Sequence, residues 1–118
     1  MAAVYVSNIV INAGADFSQV FTLESSDSNS ALNLSGYSIH SQLRKYPQSS
    51  VFVDFDSLIL NPVGGQLQIS LPYYVTSSIK PGRYVYDIVV TDPSGSVRTR
   101  VIEGMALVRE GVTKNVWY

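Results

Sequence analysis

The feature that most constrains this chain is an alternation of apolar and polar residues with a period of two, which runs through almost its whole length. Successive side chains of a strand point to opposite sides, so this period is typical of β-strands with one buried face. It predicts strands at about 4–11, 17–24, 37–45, 50–60, 66–71, 83–91 and 97–108. A single helical turn is expected in 72–79, where Pro72 opens the segment and the alternation lapses.

Seven or eight short strands separated by turn signals are typical of a β-sandwich, or alternatively of a small barrel. The segment around Gly82 favours the sandwich, because Tyr84 follows it at the position of a tyrosine corner, in which a phenol hydroxyl binds upstream backbone. Tyr86 takes the place of the cysteine that immunoglobulin domains have two residues later. The sequence therefore predicts one domain over 1–118, an immunoglobulin-like β-sandwich of seven to eight antiparallel strands.

The last predicted hairpin has a regular face pattern. Tyr84, Tyr86, Ile88 and Val90 are expected on one face, and Val85 and Val89 on the other. Gly104 lies inside the returning strand, where a glycine usually marks a bulge or a close approach of another backbone segment.

The composition narrows the possible partners. Charged residues make up 14% of the chain, against about 25% in a typical soluble domain. Such a weakly charged surface favours a protein that packs into an assembly. The eight basic residues are scattered and the net charge is −1, so nucleic-acid binding is not expected. No apolar run approaches the ~20 residues that cross a bilayer, and the start lacks the pattern of a signal peptide.

Residues that could carry chemistry are few. His40 is the only histidine and there is no cysteine, so neither a zinc site nor a cofactor is expected. Asp54 and Asp56 are two residues apart in one predicted strand, which would place both carboxylates on one face. We interpret them as a solvent-facing row, because no matching acid or acceptor motif follows. The sequence thus predicts a protein that is not an enzyme, with no catalytic or metal-binding residues.

Several motifs together carry a resemblance to a known group of proteins: "GADFSQVFTL", "LNLSGYS", "SQLRK", "KPGRYVYD" and "RVIEG". In this order the chain resembles small virion structural proteins of tailed phages, particularly cyanobacterial and marine phages. It is also similar to the amino-terminal immunoglobulin-like domain of phage upper baseplate proteins. The resemblance implies a non-enzymatic component of the virion, assembled in the host cytoplasm beside other virion proteins in a symmetric multi-copy particle. It leaves open whether the place is capsid, neck, tail or baseplate.

Aromatic residues outside the alternating strands are the candidates for an interface. Val116, Trp117 and Tyr118 end a segment, 109–118, that we interpret as a C-terminal arm inserting into a neighbouring subunit. The alternative is that this segment folds back and Trp117 covers the open end of the sandwich. Tyr5 lies in the amino-terminal strand, which could pair at an exposed edge in the same way.

A second class of function remains open at this point. Tyr73 and Tyr74 follow Pro72 outside the alternating strands, where they could form the binding surface of a carbohydrate- or peptide-binding module.

Overall fold

A computed structural model describes residues 5–24 and 30–113 of the chain. In these ranges there are nine strands and one helical turn. The strands are β1 (Tyr5–Val6), β2 (Ile9–Asn12), β3 (Phe17–Thr22), β4 (Ser38–Arg44), β5 (Phe52–Asp54), β6 (Asp56–Asn61), β7 (Gln66–Leu71), β8 (Gly82–Thr91) and β9 (Arg98–Arg109), and the helical turn is α1 (Tyr73–Thr76). The predicted helical turn after Pro72 is confirmed. Two of the predicted strands, 4–11 and 50–60, are each divided into two shorter ones.

The strands form two sheets. The larger sheet has the order β1-β9-β8-β4-β5, with β2 also paired to β9, and the smaller sheet has the order β3-β7-β6. All pairs are antiparallel except those that β1 and β2 make with β9, which are parallel. The prediction of a purely antiparallel sandwich is therefore wrong at this edge, because the first strands and the last run in the same direction side by side.

This strand order defines the fold class. The third, seventh and sixth strands form one sheet, while the fourth, eighth and ninth form the other. That is the arrangement of an immunoglobulin-like β-sandwich, with its Greek-key connections between two facing sheets. β5 extends the larger sheet beyond β4, as an additional strand does in variable-type immunoglobulin domains. The predicted fold class is confirmed.

The core lies between the two sheets and follows the predicted alternation. In β8, Tyr86, Ile88 and Val90 are buried and the residues between them are more exposed. In β7 the buried residues likewise occur at every second position. The most completely buried apolar side chains are Ile11, Leu23, Leu34, Leu67, Ile69, Ile88, Val101 and Ala106.

The chain passes from the larger sheet to the smaller one at a point where the sequence predicts a single continuous strand. Asp54 ends β5 in the larger sheet, and Asp56 begins β6 in the smaller sheet. Phe55 lies between them, is 6% exposed, and its N–H donates to the carbonyl of Ser41. The prediction that Asp54 and Asp56 share one face of one strand is therefore wrong. Burial of Phe55 between the sheets directs the chain from one layer to the other.

Gly104 has the close backbone contact that its position in β9 suggested. A Cβ at this position would lie 2.1 Å from the carbonyl oxygen of Ser7, so only glycine lets the link between β1 and β2 pass here. The bulge of the hairpin lies elsewhere. Ile88 pairs with Ile102 and Val89 with Arg100, which leaves Val101 as the extra residue.

Candidate docking surfaces

The tyrosine corner links β8 to the loop before it. The hydroxyl of Tyr84 donates to the carbonyl of Lys80, four residues upstream, at 2.5 Å. Gly82 has φ +148°, a value that other residues rarely adopt, and it brings the chain from this loop into the strand. The Tyr84 ring is only partly buried, and the ammonium group of Lys45 lies 4.9 Å from its centre. The corner therefore fixes a short loop and one cation at this end of the sandwich.

Tyr86 is part of the core. Its side chain is 4% exposed and its ring meets that of Phe55 edge-on at a centroid distance of 6.2 Å. Burial raises the pKa of the Tyr86 hydroxyl above the usual 10.0, and its hydrogen bond with Ser7 acts in the opposite direction. Because its ring is buried against Phe55 and its hydroxyl is bonded to the carbonyl of Ser7, Tyr86 is a structural residue of the core.

Tyr73 and Tyr74 lie on α1 and form an exposed aromatic pair. Their ring centroids are 5.6 Å apart and their planes are nearly perpendicular, at 85°. The helical turn is fixed to the connection between β2 and β3: the N–H of Tyr73 donates to Asp16 at 2.7 Å, and the buried hydroxyl of Thr76 donates to the carbonyl of Ala15 at 2.8 Å. These contacts hold the aromatic pair in a defined position on the surface.

An apolar patch lies on the outer face of the larger sheet. Val10 pairs with Leu107 across β2 and β9, and Val85 pairs with Met105 across β8 and β9. Met105 and Leu107 are two residues apart on β9, so the four side chains are contiguous; we call them the outer-face patch. Val10, Met105 and Leu107 are 48%, 48% and 42% exposed. Contiguous exposed apolar side chains are typical of protein–protein contact sites.

Tyr5 lies near this surface but is not part of it. It is 40% exposed in β1, where it pairs with Ile102 further along β9. Alternation in the sequence places Val10, Met105 and Leu107 on outward-facing positions. It does not reveal that β2 pairs with β9, which lies far from it in the sequence and brings Leu107 beside Val10, so sequence reasoning missed the patch.

A polar row crosses the same face beside the patch. Arg100 lies 3.3 Å from a carboxylate oxygen of Asp87 and 3.5 Å from one of Glu103. On the neighbouring strands, the side-chain amide of Gln42 donates to Asp54 at 2.8 Å. The charged side chains of the two ion pairs are between 37% and 56% exposed, so solvent screens them and they contribute little stability. The row separates the outer-face patch from the other end of the sheet.

The residues with possible chemistry are not brought together. His40 is exposed on β4, opposite Val89, and Asp54 and Asp56 lie in different sheets. Over residues 5–24 and 30–113, no group of three or more His, Cys, Asp or Glu side chains could hold a metal ion. Within those same ranges, no helix has the length and apolarity needed to cross a membrane.

Three of the predicted interface residues, Val116, Trp117 and Tyr118, lie outside the described residues. β9 continues to Arg109, which pairs with Asn12, so the segment beyond the strand begins at Glu110.

The comparisons with known proteins give no identity. No family model matches the sequence, and no curated protein matches it. Among solved structures, InlP of Listeria monocytogenes has a TM-score of 0.48 at 11% identity, over 87% of this chain and 26% of that one. A family 123 glycoside hydrolase from Clostridium perfringens has a TM-score of 0.45 at 15% identity, over 93% of this chain and 24% of that one. Drosophila N-cadherin EC1-3 has a TM-score of 0.39 at 17% identity, over 92% of this chain and 32% of that one.

The chain thus spans between 24% and 32% of the length of these proteins. At these values the similarity says nothing about function, and the fold assignment rests on the strand order itself.

Proposed function

We propose that this protein is a non-catalytic structural subunit of a bacteriophage virion, which docks onto neighbouring capsid, neck or baseplate subunits. The observation that carries the proposal is the outer-face patch, whose side chains Val10, Met105 and Leu107 are exposed on the larger sheet. Its virion context comes from the resemblance of the sequence motifs to small structural proteins of tailed phages. The low charge of the chain supports the same role, because a weakly charged surface is covered at little electrostatic cost.

The size of the patch supports a repeated assembly. A stable isolated pair of proteins usually buries about 800 Å² on each partner, which is more than three or four half-exposed side chains supply. Contacts of this size become stable when each subunit of a particle makes several of them at once. The proposed partners are therefore other virion proteins in a symmetric multi-copy arrangement.

Fractionation of a phage lysate tests the proposal. Particles are separated from free protein on a density gradient, and the chain is quantified in each fraction by mass spectrometry. We expect the chain in the particle fraction at many copies per particle. Its presence in the free fraction alone would contradict the proposal.

A second candidate function is a carbohydrate- or peptide-binding module, and the fixed aromatic pair Tyr73–Tyr74 favours it. Aromatic rings that are exposed and held in place can contact the apolar face of a sugar or a peptide side chain at a low entropic cost. A glycan array tests it with the wild-type protein and with Tyr73→Ala/Tyr74→Ala. Binding that both substitutions abolish would favour this second function.

A further inference from the structure

A second surface, at the end of the sandwich that carries the tyrosine corner, has the properties of a binding groove. It is a depression of about 620 Å³ between β4, β5 and their connecting loop on one side and the segment 78–81 on the other. This volume lies within the range of about 300–1,000 Å³ that is usual for ligand sites. We call it the end groove.

The floor of the end groove is apolar, and so is one of its rims. Leu43 and Ile79 are buried below it, with exposed fractions of 1% and 7%. Val51 and Phe52 lie along the rim and are largely exposed, at 79% and 45%. A segment with apolar side chains would cover this rim and remove its surface from water.

The charge of the end groove has one sign. The described residues that line it include three cations, Arg44, Lys45 and Lys80, and no acidic residue. Two of the cations are held in place. The Arg44 guanidinium donates to the carbonyl of Ser49 and to the side chain of Gln42, and lies 4.5 Å from the centre of the Phe52 ring. Lys45 is held over the Tyr84 ring. Cations fixed beside an apolar floor favour a ligand that carries carboxylates.

The groove also has a strand edge beside it. β5 pairs with β4 on one side and is the last strand of the larger sheet on the other. An edge strand offers backbone N–H and C=O groups to an additional strand, and extended peptides bind in this way. A nucleic-acid strand would need open aromatic faces for its bases, but cations lie over both rings of the groove, Phe52 and Tyr84.

We propose that the end groove binds an extended segment of a partner protein in which acidic residues alternate with or flank apolar residues. The segment adds to the edge at β5, its apolar side chains cover Val51 and the floor, and its carboxylates meet Lys45 and Lys80. This inference goes beyond the proposed virion role and does not depend on it, because the end groove is lined by residues other than those of the outer-face patch, although Arg44 of the groove pairs with Val85 of the patch.

Selection from a library of random twelve-residue peptides on the immobilised full chain tests the proposal. The counter-selection uses Lys45→Glu/Lys80→Glu, and the matched control is Arg98→Glu, which reverses an exposed cation outside the groove. We expect enriched peptides that carry Asp or Glu next to apolar residues. Their affinity should fall by about tenfold or more in the double variant and change little in the control. In amide NMR spectra, the enriched peptide should shift the signals of 43–53 and 78–84.

Several outcomes would overturn the proposal. One is that no peptide is enriched on the wild-type protein over the double variant, and another is that the enriched peptides are basic. NMR shifts that map to the outer-face patch would also overturn it. So would displacement of the peptide by an oligo-dT strand at a lower concentration than that of the peptide. Should the double variant fail to fold, Lys80→Glu alone gives the same comparison with one charge, because that side chain is exposed on the loop.

Discussion

The hydroxyl of Tyr86 donates a hydrogen bond to the carbonyl of Ser7, 79 residues away in the sequence, at 2.5 Å. The same carbonyl lies against Gly104, and the next residue, Asn8, accepts a hydrogen bond from the N–H of Met105 at 3.0 Å. Three contacts therefore fix the link between β1 and β2, one from Tyr86 of β8 and two from Gly104 and Met105 of β9. It positions Val10 beside Leu107, so the outer-face patch depends on this contact.

Replacing Tyr86 by Phe removes the hydrogen bond and keeps the ring in the core. We expect the free energy of unfolding to fall by about 1 kcal/mol, because the Ser7 carbonyl loses a buried partner. The melting temperature should fall by roughly 4 °C. The matched control is Tyr46→Phe, at an exposed position. Equal melting temperatures for the two variants would contradict the assigned role of the Tyr86 hydroxyl.

The stability of the protein should also depend on pH through Tyr86. Its pKa in the folded state is raised above 10.0 by burial, so above that pH the folded state holds this proton more firmly than the unfolded state. The stabilisation is complete below pH 10 and is lost as the pH rises through the raised pKa. Urea unfolding from pH 8 to 11 should show wild type losing stability faster than Tyr86→Phe. A constant difference between them would contradict the direction of the shift.

Gly104 should not tolerate a side chain. Gly104→Ala places a methyl group against the Ser7 carbonyl, so the β1–β2 link must shift, at a cost of about 1–3 kcal/mol. Gly95→Ala is the matched control: its φ is +77°, nothing lies within 4 Å of the added carbon, and only the backbone strain of about 1 kcal/mol applies. Chemical denaturation measures both. A smaller loss for Gly104→Ala than for Gly95→Ala would contradict the close approach.

The sequence predicts those parts of the fold in which burial alternates along a strand. β8 is the clearest case, because its buried residues Tyr86, Ile88 and Val90 all lie on the face on which the alternation places them. The division at Phe55 could not be predicted, since the alternation of inward and outward residues continues unbroken from β5 into β6 while the chain changes layers. A period of two predicts whether a side chain points inward or outward, but it does not predict which of the two sheets its strand joins.

The surfaces are less predictable than the core, for the same reason. The exposed position of Tyr73 and Tyr74 could be predicted from a local signal, because the alternation of apolar and polar residues stops at Pro72. The outer-face patch joins Val10 of β2 to the predicted β8–β9 hairpin, which lies far along the sequence, through the pairing of β2 with β9. Pairing between strands so far apart is tertiary information that one sequence without relatives does not contain.

The segment beyond the described residues can be tested by removing it. Truncation after Thr113 leaves every described contact in place, and it removes Val116, Trp117 and Tyr118. If the segment is a docking arm, the truncated protein should keep its melting temperature but lose its incorporation into particles. Trp117→Ala in the full chain should reduce incorporation in the same direction. A large fall in melting temperature with normal incorporation would instead show that the segment stabilises its own domain.

The most direct test of the proposed role is the incorporation of an outer-face patch variant into particles. Met105→Lys/Leu107→Lys is compared with Val63→Lys/Val97→Lys, which adds the same charge at two exposed apolar positions outside the patch. Each variant is supplied to a phage that lacks the wild-type chain, after its melting temperature has been matched to wild type. Quantitative mass spectrometry of gradient-purified particles then gives the copies per particle. We predict wild-type copy number for the control and loss of the chain for the patch variant; equal incorporation of both would contradict docking through the outer-face patch.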